Sequence, residues 1–258
     1  MIARLFRDKR AEAILRRIDR PEAVALAVGL ALLTAVGWLV TPLGLAVVIA
    51  FQLGIGGFAA AYLIGPSRPG LGYSRYATLA LAAMAITLGG RLIPGGVSLL
   101  LVPIVAILLW SVLWLELRAS REIGSKTALD LALVAIVFAG AAGIYRLFGE
   151  HVWPPPVVLV LLMTLPLTLR SAESRAGSGA HAVGQGLLHL GAVAQVGAAL
   201  SLLRLPGVVG PAVLALAFYS WAGAADALQG GSSGRAVALE FGLLAVLGVA
   251  VALVFHGT

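Results

Sequence analysis

Apolar residues run along this chain in blocks of about twenty, interrupted by short turns, from residue 22 almost to its end. A helical run of that length crosses the ~30 Å hydrocarbon core of a bilayer. Nine blocks stand out, at about 22–40, 43–64, 76–93, 97–117, 127–148, 155–170, 180–203, 208–225 and 236–255. The expected fold is all-α: a polytopic membrane protein of about nine spans in one transmembrane domain, 21–258, after a basic segment, 1–20. The turns alternate in character. "VTPLG", "LIPGG", "VWPPP" and "RLPG" are short and carry proline, whereas "GPSRPGLGYSR", "ELRASREIGSK", "RSAESRAGSG" and "LQGGSSGR" are longer and basic. Proline cannot continue a helix and fixes its own φ, so the short turns suit antiparallel hairpins. The sixth block is the weakest, being short and holding Pro166. Omitting it leaves eight spans and breaks the alternation, so it is kept, with a bend expected at the proline. Prolines 42, 94, 154 and 206 are spaced by 52, 60 and 52 residues. Two spans plus their loops produce that spacing, and no internal repeat is read from it.

Charge orients the stack. All but three of the 18 lysines and arginines fall in the first segment and the longer turns; the exceptions are Arg91, Arg146 and Arg204. Because lysine and arginine accumulate on the cytoplasmic side, a plasma or inner membrane with the N-terminus inside and, after nine crossings, the C-terminus outside is expected. Seven basic residues precede Pro21. They suit anionic lipid headgroups, and with Ile14, Leu15 and Ile18 on one side the segment reads as a surface helix, so no nucleic-acid role is expected. Hydrophobic residues make up 60% of the chain and charged ones 11%, with a mean hydropathy of +1.03, which leaves no room for a soluble domain. There is no cysteine, so disulfides, thiolate metal sites and thiol catalysis are excluded.

One span carries an unusual load: His181, Gln185, His189 and Gln195 all lie in 180–203. At 100° per residue they fall within an arc of about 120° and cover about 21 Å of helix axis. A polar stripe of that kind is expected to face the bundle interior or a watery cavity rather than acyl chains. Three uses compete for it. It glues helices together by hydrogen bonds, or it lines a path for a small polar or lipidic solute, or His189 serves as the single axial ligand of a haem or chlorophyll-type pigment. No metal ion is expected to bridge His181 and His189, which are about 12 Å apart along the axis.

Other polar groups are candidates for coupling to the stripe. Glu240 lies about a turn and a half into the last span and needs a partner if it points inward, with His181 at similar depth. Asp130 reads as a first-turn residue in a helix capped by Thr127. Gln52 lies amid Gly54, Gly56, Gly57, Ala60 and Ala61, which favour close helix packing, as does "FAGAAG" at 138–143. Arg91, Arg146 and Arg204, with Glu150, His151 and Trp153, mark the opposite end, where the arginines would contact lipid phosphate or another anion only if the fold gathers them. Trp110 and Trp114 read as belt residues at the basic end.

No P-loop, H-E-x-x-H, nucleotide-binding glycine motif or nucleophile set occurs. Asp130, Asp226 and Glu240 are isolated in sequence, and neither Lys9 nor Lys126 is mid-span, so no diphosphate-metal site or retinal-type Schiff base is read. The leading reading is a non-enzymatic accessory or scaffold subunit with a membrane-protein partner or a second copy of itself. A transporter or channel-like protein for a small polar or lipidic solute is second, and an intramembrane enzyme third.

Overall fold

The computed structural model describes residues 21–65, 72–93, 95–119, 126–148, 156–176, 179–203, 205 and 207–254. The 1–20 segment, Arg68, Glu150, His151, Trp153 and Arg204 lie outside the described residues. Nine α-helices are described: α1 Pro21–Leu39, α2 Pro42–Ile64, α3 Arg75–Gly90, α4 Val102–Ala119, α5 Lys126–Phe148, α6 Pro156–Ala176, α7 Ala180–Leu203, α8 Val209–Gln229 and α9 Gly234–Val254. A 3-10 turn, Gly95–Leu101, leads into α4. Eight of the nine are long and apolar enough to cross a membrane, so this is a multi-pass membrane protein.

The exception, α3, has only 16 residues, about 24 Å of helix, and sits at the centre. It packs against α1, α2, α4, α5 and α6 and buries nearly its whole circumference, from Thr78 to Leu88. Small residues make this possible. Gly56 of α2 faces Ala80, while Gly89 and Gly143 let α3 and α5 approach backbone to backbone. Inside the same corner, Gln52 Nε2 donates to Thr34 Oγ1 at 3.0 Å and to Thr87 Oγ1 at 2.7 Å, tying α2 to α1 and α3. The Gln52 amide thus joins three helices.

Contacts between helix ends establish the up-and-down order. Arg91, just past α3, reaches the carbonyls of Gly37 and Val40 at the end of α1. Tyr76 at the start of α3 donates to Gly65 O at the end of α2, 2.8 Å away. At that same basic end lie the starts of α5 and α7 and the ends of α4, α6 and α8, joined by the contacts described below.

One expectation needs correction. The charged stretch 170–176 is not a loop: α6 runs unbroken through Pro166 to Ala176, and α8 runs on to Gln229. Each charge there finds a partner inside the bundle, so the helix need not end at its first arginine. The order of helix packing recurs along the chain. In α1–α4 the second and third helices pack most extensively and the first closes on the fourth, and α5–α8 repeat the scheme. Pro42 and Pro154, like Pro94 and Pro206, are 112 residues apart. Ser-Arg-x-Gly-x-Gly occurs at 67–72 and 174–179, and Arg-Leu precedes Pro-Gly at both 91–95 and 204–207. In the 174–179 copy Ser174 and Arg175 belong to the last turn of α6. The two four-helix units run in the same direction across the bundle. Helix α9 has no counterpart in the first unit.

Candidate functional site

The polar stripe of α7 does not stay together. Its buried face is formed by Ala182, Gly186, His189, Val193, Gly197 and Leu200. Taking His181 as zero, that face is centred near about 115°, while the stripe is centred near about 20°. Only His189 belongs to both. The cause lies on α6: a side chain at Gly186 would strike the Leu169 backbone, and one at Gly197 would meet Val157, so the small residues must face α6. His181 and Gln195 are exposed on the bundle surface, and Gln185 is half-buried at its edge. The expectation that all four turn inward is therefore overturned for His181 and Gln195.

His189 is fixed from two sides. Its Nε2 donates to Phe218 O of α8 at 3.1 Å, because a carbonyl oxygen can only accept. Its ring lies 4.3 Å from the Phe218 ring and 6.2 Å from that of Trp221. With Nε2 protonated and committed, Nδ1 of the neutral ring is an acceptor and has no partner among the described residues. The pigment reading loses the nitrogen at Nε2. Closer to the basic end, Gln185 Nε2 donates to His181 Nε2 at 3.1 Å, and Gln229 Nε2 of α8 donates to Gln185 Oε1 at 3.4 Å.

Next to this strip lies a set of ion pairs that the sequence did not foretell. Arg170 and Glu116 form a two-pronged pair between α6 and α4, with N–O distances of 2.8 to 3.0 Å and both side chains almost fully buried. Arg175 bridges α6 to α5 and α8: Nη2 donates to Asp130 Oδ2 at 2.6 Å and to Asp226 Oδ2 at 3.0 Å, and Nε donates to Asp226 Oδ1 at 2.9 Å. Nη1 donates to the carbonyl and hydroxyl oxygens of Ser171, one turn earlier. Glu173 accepts from Ser74 Oγ at the start of α3. Asp130 is thus not a capping residue; it lies a full turn inside α5 and its Oδ1 is buried without a hydrogen-bond partner. The missed signal was the stretch "RSAESR", which has no glycine or proline until Gly177 and so continues the helix with its charges turned inward.

Between α6, α7 and α8 these groups border a cavity of about 300 Å³. Arg175, Gln185, His189, Trp221, Leu228 and Gln229 line it, with small residues such as Ala222 and Ala225 supplying the space. Its volume lies at the lower end of the range for small-molecule sites. Gln185 and Gln229 stand at the rim, while His189 lies about 6 Å deeper along α7 and Trp221 about 12 Å deeper along α8.

No protein-family model, curated protein or solved structure matches this chain.

The remaining candidates are scattered. Glu240 is exposed on α9 and has no partner among the described residues. Arg146 is exposed, and Arg91 is engaged by the α1 carbonyls, so these two do not gather as an anion site. Arg118 stacks over the Trp114 ring at 4.1 Å, which accords with a belt position. No group of three or more metal-ligating side chains occurs among the described residues.

Proposed function

We propose that the protein is a non-enzymatic binding or carrier protein for a small amphipathic solute, held in the cavity between α6, α7 and α8. The observation that carries this reading is that the cavity joins a polar rim, a spare hydrogen-bond acceptor at His189 and an apolar wall in one space of about 300 Å³. The Gln52, Arg170 and Arg175 sets are engaged in bonds between helices, whereas here a ligand finds both apolar surface and hydrogen bonding. The charge bias of the turns supports placing the basic end, and the cavity mouth with it, on the cytoplasmic side of a plasma or inner membrane. A partner-bound accessory role has one observation in its favour. Helix α9 packs mainly on α8, and Glu240, an exposed carboxylate in a spanning segment, would gain from a polar partner helix.

The test uses Trp221 as reporter. In a variant whose other tryptophans are Phe, in uncharged maltoside micelles, brominated dodecanol is expected to quench Trp221 saturably. Ala225→Phe, which fills the cavity, should abolish saturation, and His189→Leu should weaken binding about tenfold through the lost acceptor. Quenching that rises without limit and ignores Ala225→Phe is plain micelle partitioning and would sink the proposal.

A further inference from the structure

The wall of the cavity holds one charged side chain, Arg175, and its guanidinium is fully engaged. All five of its N–H donors go to Asp226, Asp130 and Ser171. Neither aspartate is part of the wall. An anion would therefore have to pull a carboxylate away from Arg175, and a cation would meet no carboxylate at all. Holding a charge without a partner in such a space is costly, so the wall selects for an uncharged molecule.

Two hydrogen-bonding atoms on that wall are open, and they are of opposite kinds. His189 is only 3% exposed, and with Nε2 committed to Phe218 O its Nδ1 is an acceptor without a partner among the described residues. The indole Nε1 of Trp221 can only donate, and it too has no partner among the described residues. The two rings stack across α7 and α8, with centroids 6.2 Å apart and an angle of 22° between their planes. A hydroxyl donates and accepts through one oxygen, and two such bonds of about 2.8 Å span about 5 Å, the scale of this stack. An ether or ketone oxygen would satisfy the indole alone.

The opening of the cavity is apolar on its outer side. Leu188 of α7 and Leu228 of α8 line it and are 64% and 53% exposed on the surface of the bundle, where acyl chains lie in a bilayer. Resting on the binding reading above, we infer that the ligand is an uncharged long-chain alcohol, whose hydroxyl lies between His189 Nδ1 and Trp221 Nε1 and whose tail passes Leu188 and Leu228 into the lipid.

Four probes with the same chain separate the cases: dodecanol, dodecyl methyl ether, dodecylamine and dodecanoate. Each is titrated against brominated dodecanol on the Trp221 reporter protein at about pH 8, where the amine and the acid are charged, with concentrations expressed as mole fraction in the micelle. Dodecanol is expected to displace the brominated probe at about a tenfold lower mole fraction than the ether, through the bond its hydroxyl gives to His189, and both charged probes should be weaker still. In His189→Leu the preference for alcohol over ether should fall toward one, and His189→Gln, whose amide oxygen accepts, should restore part of it. That ratio is taken within one protein, so a general loss of stability does not move it. If the amine or the carboxylate matches dodecanol, the uncharged assignment fails and the binding site survives. An ether as strong as the alcohol, or a preference unchanged in His189→Leu, overturns the placement of the hydroxyl. If none of the four competes, the binding reading fails as well.

Discussion

Glu116→Leu is expected to lower the unfolding free energy by about 3–5 kcal/mol. The loss does not measure the worth of the ion pair. It measures the cost of leaving Arg170 buried with no counter-charge, since its guanidinium is almost fully enclosed and meets Glu116 through both Nε and Nη2. The double variant Glu116→Leu with Arg170→Met should therefore recover most of the loss, because desolvating two charges offsets much of their mutual attraction. Unfolding titrations with sodium dodecyl sulfate in mixed micelles would read both. A loss below about 1 kcal/mol for the single variant would match an exposed pair and contradict the burial.

Gly143→Leu should prevent assembly of the bundle, and Gly143→Ala should cost about 1–3 kcal/mol. A Cβ at this position overlaps the carbonyl carbon and oxygen of Leu88, and neither is a flexible side-chain end that can swing aside. To admit even a methyl group, α3 and α5 must move apart, which loosens packing along a crossing that also includes Gly89. Gly29→Ala provides the control, because nothing lies within 4 Å of its Cβ position. That change should be neutral or stabilise the helix by up to about 1 kcal/mol. Equal losses at the two glycines, measured in the same titration, would argue against close contact between α3 and α5.

Much of the architecture could be read from the hydrophobic pattern, since the nine blocks and the alternating turns recover every helix to within a few residues over most of the chain. The largest errors were at the ends of α6 and α8, where a hydropathy reading stops at Arg170 and before Asp226. Charges end a span only when they have no partner in the bundle, and partnership depends on helices more than forty residues away, such as Glu116 for Arg170. Gln52 was expected to serve packing because its own neighbours are small, and its amide bonds to Thr34 and Thr87 on two other helices. The α7 stripe was misread for the opposite reason. Periodicity identifies which residues share a face, but which face is buried was decided by the fit of Gly186 and Gly197 against α6. His189 was found, while its companions Arg175 and Trp221 come from other helices and no spacing in the chain connects them.

The central helix has a consequence for biogenesis. At 16 residues α3 is too short to span the hydrocarbon alone, and its neighbours, more than lipid, make up its surroundings. One of those neighbours, α5, is synthesised later, and its Gly143 surface is what covers Leu88. During insertion α3 must therefore remain sheltered against α1 and α2, or within the translocation machinery, until the second half of the chain emerges to enclose it.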